Sequence, residues 1–407
     1  MIEIKGKYTT AKVYIDKLEE GAEEQILELC NQDFAKSCKI RIMPDVHAGR
    51  GCVIGFTADL GEKVIPNIVG VDIGCGMLTV ELGKIEIDFK SLDEAINKYI
   101  PSGKNTHEGR IYKFDKFREL KCFRELKDSK RIERSIGTLG GGNHFIEIDI
   151  GSDGNKYLVI HSGSRNLGKQ VADIYQKLAI ELCKGKEEYY IEREKIIKES
   201  KESGEKGFIQ TRLKELLKKY TQTNPDYPEH LCFLTGKFRN DYLFDMNICQ
   251  EYACLNREKM AEIILDKAFS KKLSDFNFFQ TIHNYISFED NIIRKGSVSA
   301  KFGEKLLIPI NMRDGSLICI GKGNPDWNYS APHGAGRLMS RTKAKETFSL
   351  DEFSKQMKGI YTTSVNQSTV DECPMAYKNM DDIVNNISDT AEIIEIIKPV
   401  YNFKAND

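Results

Sequence analysis

The sequence contains no apolar run near the ~18 residues that a membrane-spanning helix needs. Its first residues, MIEIKGKYTTAKVYI, also lack the apolar core of a secretory signal. We therefore expect a cytoplasmic protein with no membrane partner. Of the 407 residues, 40% are hydrophobic and 30% are charged, so the chain can bury a sizeable core.

A disulfide framework is also missing. The eleven cysteines are scattered along the chain, and no two are spaced as CxxC. Most are therefore expected to be reduced, buried and small apolar side chains. The net charge is only -1, which excludes a polycation, so any contact with nucleic acid must come from local basic patches.

One basic patch spans residues 110–134, where ten Lys and Arg stand against five Asp and Glu. Tyr112, Phe114, Phe117 and Phe123 are interleaved with the cations. This mixture suits single-stranded nucleic acid, through stacking and phosphate contacts. The alternative is an amphipathic helix whose aromatic side chains face the core.

The common nucleotide-binding motifs are absent. The chain has no GxxxxGK[ST], and no GxGxxG follows a strand and opens a helix. Three other glycine-rich stretches, HGAGR, GTLGGGNH and HSGSRNLGK, could form backbone amide nests for anions or could be ordinary turns.

Runs rich in Val, Ile, Thr and Gly predict short strands joined by tight turns in the first hundred residues. Further strands are predicted at 136–162 and 278–323, and helices at 92–100, 111–134, 240–268 and 377–400. Residues 170–225 are highly charged and predict a solvated helical insertion. Since there is no internal repeat or linker, we predict one α+β domain over residues 1–407, with a mixed β core surrounded by helices.

Five of the seven histidines lie in turns: His47, His144, His161, His283 and His333. Asp72 and Cys75 stand three apart between glycines in GVDIGCGM. Each residue alone is more often a satisfied core residue, but apolar strands that end in His, Cys and Asp are what a buried metal site requires. Mixed ligands of this kind suit Zn, Mn, Co or Fe, and Cys75 could bridge two ions.

The stretch SAPHGAGRLMSRTKAK places His333 beside Gly334 and Gly336, with Arg337 and Arg341 four residues apart. If a helix follows, the two arginines lie on one face. This arrangement indicates an anion next to an imidazole.

Eight segments carry a resemblance to a known family: MPDVHAGRGCVIG, VGVDIGCGM, GTLGGGNHFIE, HSGSRNLG, HNY, RKGSVSA, HGAGRLMSRTKAK and DECPMAYKN. In this order they resemble the signature segments of the tRNA-splicing RNA ligase family of the RtcB type. The resemblance extends from about residue 40 to the C-terminal end.

The resemblance implies an enzyme that uses GTP and two Mn²⁺ ions to join an RNA 3′-phosphate or 2′,3′-cyclic phosphate to a 5′-hydroxyl. It implies His333 as the residue that becomes guanylylated. It implies metal ligation by Asp72, Cys75, His144, His161 and His283, with Cys75 bridging. The residues implied near the nucleotide are Asn143, Glu147, Pro309, Asn311, Met312, Gly334, Ala335, Gly336, Arg337 and Lys378, with Asp45, His47 and Arg341 just behind them.

One segment departs from the family pattern, which has Pro-Gly-Ser-Met near the guanine. Here Pro309 and Met312 flank Ile310 and Asn311, and Ile310 removes the freedom of a glycine. The alternative function is a metal-dependent hydrolase of RNA cyclic phosphates that has lost ligation. The resemblance also implies a monomer, a role in tRNA splicing or RNA repair, and a place for an activating protein partner.

Overall fold

The computed structural model describes residues 1–36, 38–204, 206–220 and 225–405. The described residues form fifteen strands: β1 (Ile2–Lys5), β2 (Thr10–Val13), β3 (Arg41–His47), β4 (Ile54–Ala58), β5 (Gly76–Gly83), β6 (Phe145–Ile150), β7 (Lys156–Ser162), β8 (Phe278–Ile282), β9 (Asn284–Ile286), β10 (Ile293–Lys295), β11 (Ser297–Ser299), β12 (Lys305–Asn311), β13 (Gly315–Gly321), β14 (Ser330–Pro332) and β15 (Ala391–Lys404).

The same residues form eleven α-helices: α1 (Glu20–Cys30), α2 (Pro66–Val69), α3 (Phe89–Tyr99), α4 (Ser129–Glu133), α5 (Arg165–Cys183), α6 (Glu187–Glu202), α7 (Ile209–Leu217), α8 (Gly236–Phe269), α9 (Arg341–Thr347), α10 (Leu350–Gln356) and α11 (Met380–Val384). None of the described helices is long and apolar enough to cross a membrane. The α+β class predicted from the sequence is confirmed.

The strands form three sheets. A seven-stranded sheet has the order β12-β13-β15-β6-β7-β5-β8, a six-stranded sheet has the order β1-β2-β3-β4-β10-β9, and β11 pairs with β14. In the large sheet all neighbours are antiparallel. The starts of β5 and β6 therefore share one edge with the ends of β7 and β8. That edge brings together residues that are far apart in the sequence.

The long helix α8 covers one face of the large sheet. It packs against α3, α5, β5 and β7, and Met260 and Ile264 join a buried cluster with Leu78 and Ile160. Because it has neighbours on several sides, it is apolar on more than one face. The helices predicted at 92–100 and 240–268 are confirmed by α3 and α8.

The region predicted as a charged helical insertion contains α5, α6 and α7. Residues 205 and 221–224 of this region lie outside the described residues. Tyr175 and Ala179 of α5 are buried, whereas α6 has one buried residue, Ser200. The outer part of the region is therefore exposed to solvent, as its charge predicts.

The predicted helix at 111–134 is wrong. The segment forms the 3₁₀ turns Asp115–Glu119 and Phe123–Glu125 and the short helix α4. Its backbone is held by another element, because the buried carboxylate of Asp245 accepts hydrogen bonds from the amides of Lys121 and Cys122 at 2.7 and 3.0 Å.

The aromatic side chains of this segment nevertheless divide as the core interpretation expects. Phe117 is buried, and Phe114 and Phe123 pack against the core, whereas Tyr112 is exposed. Three of the four aromatic rings are thus committed to packing.

The predicted helix at 377–400 is also wrong. Only Met380–Val384 is helical, and the chain then enters β15, which pairs with β13 on one side and β6 on the other. The run AEIIEIIKP has helix-like apolar spacing. Pairing on both sides satisfies the backbone of this segment as a strand, and exposed residues then alternate along it from Glu392 to Lys398.

Candidate active site

The predicted metal ligands converge at the shared edge of the large sheet. Cys75 precedes β5, His144 precedes β6, His161 lies near the end of β7 and His283 follows β8. The sulfur of Cys75 is 3.5 Å from Nε2 of His144 and 3.3 Å from Nε2 of His161. Four strands therefore deliver a thiol and three imidazoles to one place.

Two groups of possible metal ligands share the thiol. Cys75, His161 and His283 form one, and Asp72, Cys75 and His144 form the other, with the ligand atoms of each group within 4.8 Å of one another. The set of one carboxylate, one thiol and three imidazoles fits borderline divalent ions. Cys75 belongs to both groups.

Backbone carbonyls orient two of the imidazoles. Nδ1 of His144 is 2.8 Å from the carbonyl oxygen of Leu139, and Nδ1 of His161 is 3.2 Å from that of Asn143. A proton on Nδ1 leaves the Nε2 lone pair directed at the thiol. Nδ1 of His283 is buried and has no hydrogen-bond partner among the described residues, so it is available to an ion.

Buried polar side chains hold the loops that carry these ligands. The guanidinium of Arg257, on α8, donates to the carbonyls of Gly74 and Ser162 at 2.9 and 2.8 Å. The amide of Asn284 donates to the carbonyl of Asp72 at 3.1 Å. A Cβ at Gly163 would collide with the Asp72 carboxylate, so glycine is required where the loop passes that ligand.

Burial sets the protonation of the site. It lowers the pKa of His161 and of His283 well below the usual value, so both imidazoles are neutral, as ligation requires. Burial, and then the charge of Asp72, raise the pKa of the Cys75 thiol. Burial alone would raise the pKa of Asp72, but side-chain hydrogen bonding and nearby positive charge, including that of Arg165, outweigh burial and lower it, so Asp72 is ionised. A bound cation would reverse the effect on the thiol.

His333 stands next to this group. It follows β14, and its ring centroid lies 4.7 Å from that of His283. Its Nδ1 is 2.6 Å from the carboxylate of Asp45, which also accepts from the amides of His333 and Gly334 at 3.0 and 3.3 Å. Asp45 is fully buried. In the neutral imidazole, this contact favours the tautomer with the proton on Nδ1 and the lone pair on Nε2.

Gly336 allows the strand and the loop to meet. Its φ is +79°, and a Cβ there would collide with the backbone oxygen of Asp45. Any other residue would push the loop of His333 away from β3.

A cavity of about 260 Å³ opens beside His333 and His161. Every residue predicted to contact a nucleotide lines it except Lys378. The Nζ of Lys378 instead donates to the carbonyls of Pro44 and Val46 at 3.0 and 2.8 Å. Lys378 thus supports the strand that carries Asp45. His47 and Arg341 also line the cavity, and burial lowers the pKa of His47 to about 4.

Cations gather at one wall of the cavity around Glu372. This buried carboxylate pairs with Arg337 at 3.1 Å, Arg341 at 3.0 Å and Lys404 at 2.6 Å. Burial alone would raise the pKa of Glu372, but the three cations outweigh burial and lower it, so Glu372 is ionised. The two arginines do not share a helix face, since α9 begins only at Arg341.

Three polar residues that line this cavity were not predicted from the sequence: Glu372, Tyr377 and Lys404. The segment DECPMAYKN contains the first two and was recognised only as part of the resemblance. No local signal marks Lys404, because it lies at the end of β15, which the apolar spacing predicts as a helix.

A second carboxyl group lines the cavity. Glu147, on β6, is buried, and its carboxylate accepts from the amide of Asn402. Burial raises the pKa of Glu147 to about 7, although Asn402 and Lys404 oppose the shift. Asp149 lies on the same face of β6, and burial and the charge of Glu147 raise its pKa.

The segment that departs from the family pattern also lines the cavity. The Asn311 side chain is already engaged, since its oxygen accepts from the amides of Arg313 and Asp314 at 3.0 and 2.9 Å. Asn311 thus caps its own turn between β12 and β13.

A second cavity, of about 570 Å³, reaches the metal ligands from another side. Asp72 and His144 line it, and Asn143 lines both cavities. Its other walls carry five cations: Lys104, Lys127, Arg131, Arg165 and Lys169. The predicted metal ligands therefore lie between a cavity beside His333 and a second, basic cavity.

Comparison with known proteins agrees with the eight segments. The model of the family described as tRNA-splicing ligase RtcB matches residues 32–122 and 119–405. The RNA-splicing ligase RtcB of Escherichia coli K12 is 30% identical over 425 residues, covering 95% of each chain. The tRNA-splicing ligase RtcB of Archaeoglobus fulgidus is 26% identical, covering 93% of this chain and 91% of the relative. This chain therefore belongs to the RtcB family of tRNA-splicing ligases.

Proposed function

We propose that this protein is a GTP- and Mn²⁺-dependent RNA ligase. It joins an RNA end that carries a 3′-phosphate or a 2′,3′-cyclic phosphate to an end that carries a 5′-hydroxyl. The observation that carries the proposal is the position of His333, which Asp45 orients beside both the cavity and the metal ligands. Family membership supports the same reaction class.

His333 is the nucleophile. Its unprotonated Nε2 attacks the α-phosphorus of GTP, a P–N bond forms, and the bond to the leaving pyrophosphate breaks. The ring gains positive charge as the bond forms, and the buried carboxylate of Asp45 stabilises that charge. An imidazole can do this without first losing a proton, unlike a hydroxyl nucleophile.

The cavity holds the nucleotide. The Gly334–Gly336 loop lets the backbone approach the phosphates, and Arg337 and Arg341 supply charge near them. Glu147 and Lys404 offer a carboxyl group and an ammonium at the same cavity, which suits recognition of a purine base.

Asp72, Cys75, His144, His161 and His283 would hold two Mn²⁺ ions. When bound, these ions supply Lewis-acid polarisation of phosphate oxygens and neutralise the charge of the pyrophosphate.

The basic cavity receives RNA. GMP passes from His333 to the RNA 3′-phosphate, which regenerates the imidazole, and the 5′-hydroxyl then attacks the activated phosphate and releases GMP. A cyclic phosphate is first opened by water. The monomeric state and the activating protein partner remain predictions of the resemblance, and the cytoplasmic location remains a prediction from the sequence.

The test is incubation with GTP labelled on the α-phosphate and Mn²⁺, followed by a denaturing gel. The parent should carry an acid-labile GMP adduct, and His333→Ala should carry none while it retains its metal. His333→Ala should still seal RNA that already carries a 3′ GMP cap. A parent that opens cyclic phosphates but forms no adduct would support the hydrolase instead.

A further inference from the structure

A third cavity continues the basic cavity onto the predicted helical insertion. Its volume is about 790 Å³, and it is lined by residues of α5, α6 and α8 and of the segment 121–127. Lys127 lines both cavities. Together they form one path, here called the groove, that begins at Asp72 and His144 and ends at α6.

The groove is positive although the chain is not. Its walls contain nine Lys and Arg against six Asp and Glu, whereas the whole chain has 60 against 61. Glu181 pairs with Lys186, which does not line the groove, whereas Glu194 pairs with Lys237, which is one of the nine cations. The excess of cations along the groove is therefore available to a polyanion.

Several of these cations have no competing carboxylate. Lys121, Lys127, Lys177 and Arg193 form no salt bridge with any residue that the structure describes. Lys121, Lys127 and Lys177 are exposed. They can contact phosphates without first breaking an ion pair.

Aromatic rings stand among these cations at the outer end of the groove. Tyr189 and Tyr190, on α6, line it, and both are half-buried. The guanidinium of Arg193 lies 5.9 Å from the ring centroid of Tyr190. Rings interleaved with cations suit unpaired bases on a phosphate backbone better than a duplex, whose bases offer no exposed faces.

We propose that the groove binds single-stranded RNA beyond its reacting end. The phosphates follow Lys127, Lys121 and Lys177, and bases stack on Tyr189 and Tyr190. The inference rests on the proposed function, because the strand that occupies the groove is the one whose end reaches the metal ligands. The groove requires a substrate with several unpaired nucleotides, whereas the reacting site alone does not.

The test compares three variants with the parent. Lys121→Glu combined with Lys177→Glu reverses charge in the groove, and Tyr189→Ala removes a ring. Lys214→Glu is the matched control, because Lys214 is exposed on α7 of the same region and lines neither cavity of the groove. Formation of the GMP adduct, which needs no RNA, shows that each variant is folded.

Binding is measured by fluorescence anisotropy with unreactive 3′-hydroxyl RNA of about 4 and about 12 nucleotides, lengths that span the site sizes of single-strand binders. For the longer RNA, the double charge reversal should weaken binding about tenfold or more. It should also reduce the slope of log K against log salt by about 1.4, since each single-strand contact contributes about 0.7. Tyr189→Ala should weaken binding about fivefold or more, at the lower end of measured stacking, with the slope unchanged.

The shorter RNA should bind all four proteins equally. Equal losses in the charge reversal and in Lys214→Glu would overturn the proposal, as would tighter binding of a duplex than of the single strand. Anisotropy measures binding without ligation. A parent that binds the long RNA through the groove but seals no RNA would therefore contradict the proposed function and still support RNA binding by the groove.

Discussion

Replacement of Asp45 by Asn tests how Asp45 would prepare His333 for its proposed attack on GTP. The buried carboxylate is 2.6 Å from Nδ1 of His333 and also accepts from two backbone amides. Asparagine has nearly the same shape but no charge, and its amide group can donate to Nδ1. Donation to Nδ1 would favour the proton on Nε2, where it blocks attack.

The size of the effect follows from these contacts. A hydrogen bond to a charged group contributes about 1.5–3 kcal/mol, and every 1.36 kcal/mol changes a rate tenfold. The rate of GMP adduct formation should therefore fall at least about tenfold. The fall could reach about 10⁴-fold if the wrong tautomer dominates, as found when Asn replaces the Asp of a serine protease triad.

The assay is a single-turnover measurement of the acid-labile adduct with labelled GTP, combined with determination of bound metal. Asp45→Asn should keep its metal, since Asp45 is not among the predicted ligands. Asp245→Asn is the matched control, because Asp245 is also fully buried and accepts from two amides and from Tyr175. The control should lose stability but form the adduct at the parental rate. An Asp45→Asn protein that forms the adduct within threefold of the parent would refute the role assigned to Asp45.

Three further predictions concern the ligands, the cavity and its pH dependence. Cys75→Ala should bind neither ion, because both ligand groups share that thiol; undiminished metal content by elemental analysis would contradict this. Lys404→Ala should weaken GTP binding in calorimetry more than Lys378→Ala, since of these two lysines only Lys404 lines the cavity. The reverse order would mean that Lys378 contacts the nucleotide. The pKa of Glu147 is raised from 4.5 to about 7. Between these two pH values the folded protein keeps a proton that the unfolded chain releases, so the free energy of unfolding falls as the pH rises from 4.5 to about 7. In denaturant titrations between about pH 5 and about pH 7.5, Glu147→Gln should show a shallower fall, and an unchanged slope would mean that Glu147 is ionised throughout.

Local sequence patterns correctly predicted helices whose own residues form a large apolar packing surface. The spacing of apolar residues identified α3 and α8, because each helix presents enough apolar surface to pack against the large sheet or its neighbours. The same kind of spacing failed at β15. There the apolar residues mimic a helix, but hydrogen bonds to β13 and β6 on both sides decide the conformation. Such pairing depends on residues far away in the chain and leaves no local signal.

The chemistry of the candidate site could be predicted from the sequence because ligands are residue types in recognisable turns. Candidate ligands were recognised beside glycines in the sequence, namely Asp72, Cys75 and the histidines. The resemblance then implied their roles. Only the tertiary structure decided which groups orient them. In the structure Asp45 contacts His333, Lys378 binds backbone carbonyls outside the cavity, and Lys404 lines the cavity. The reason is that hydrogen bonds between side chains form across strands whose order in the sheet differs from their order in the sequence.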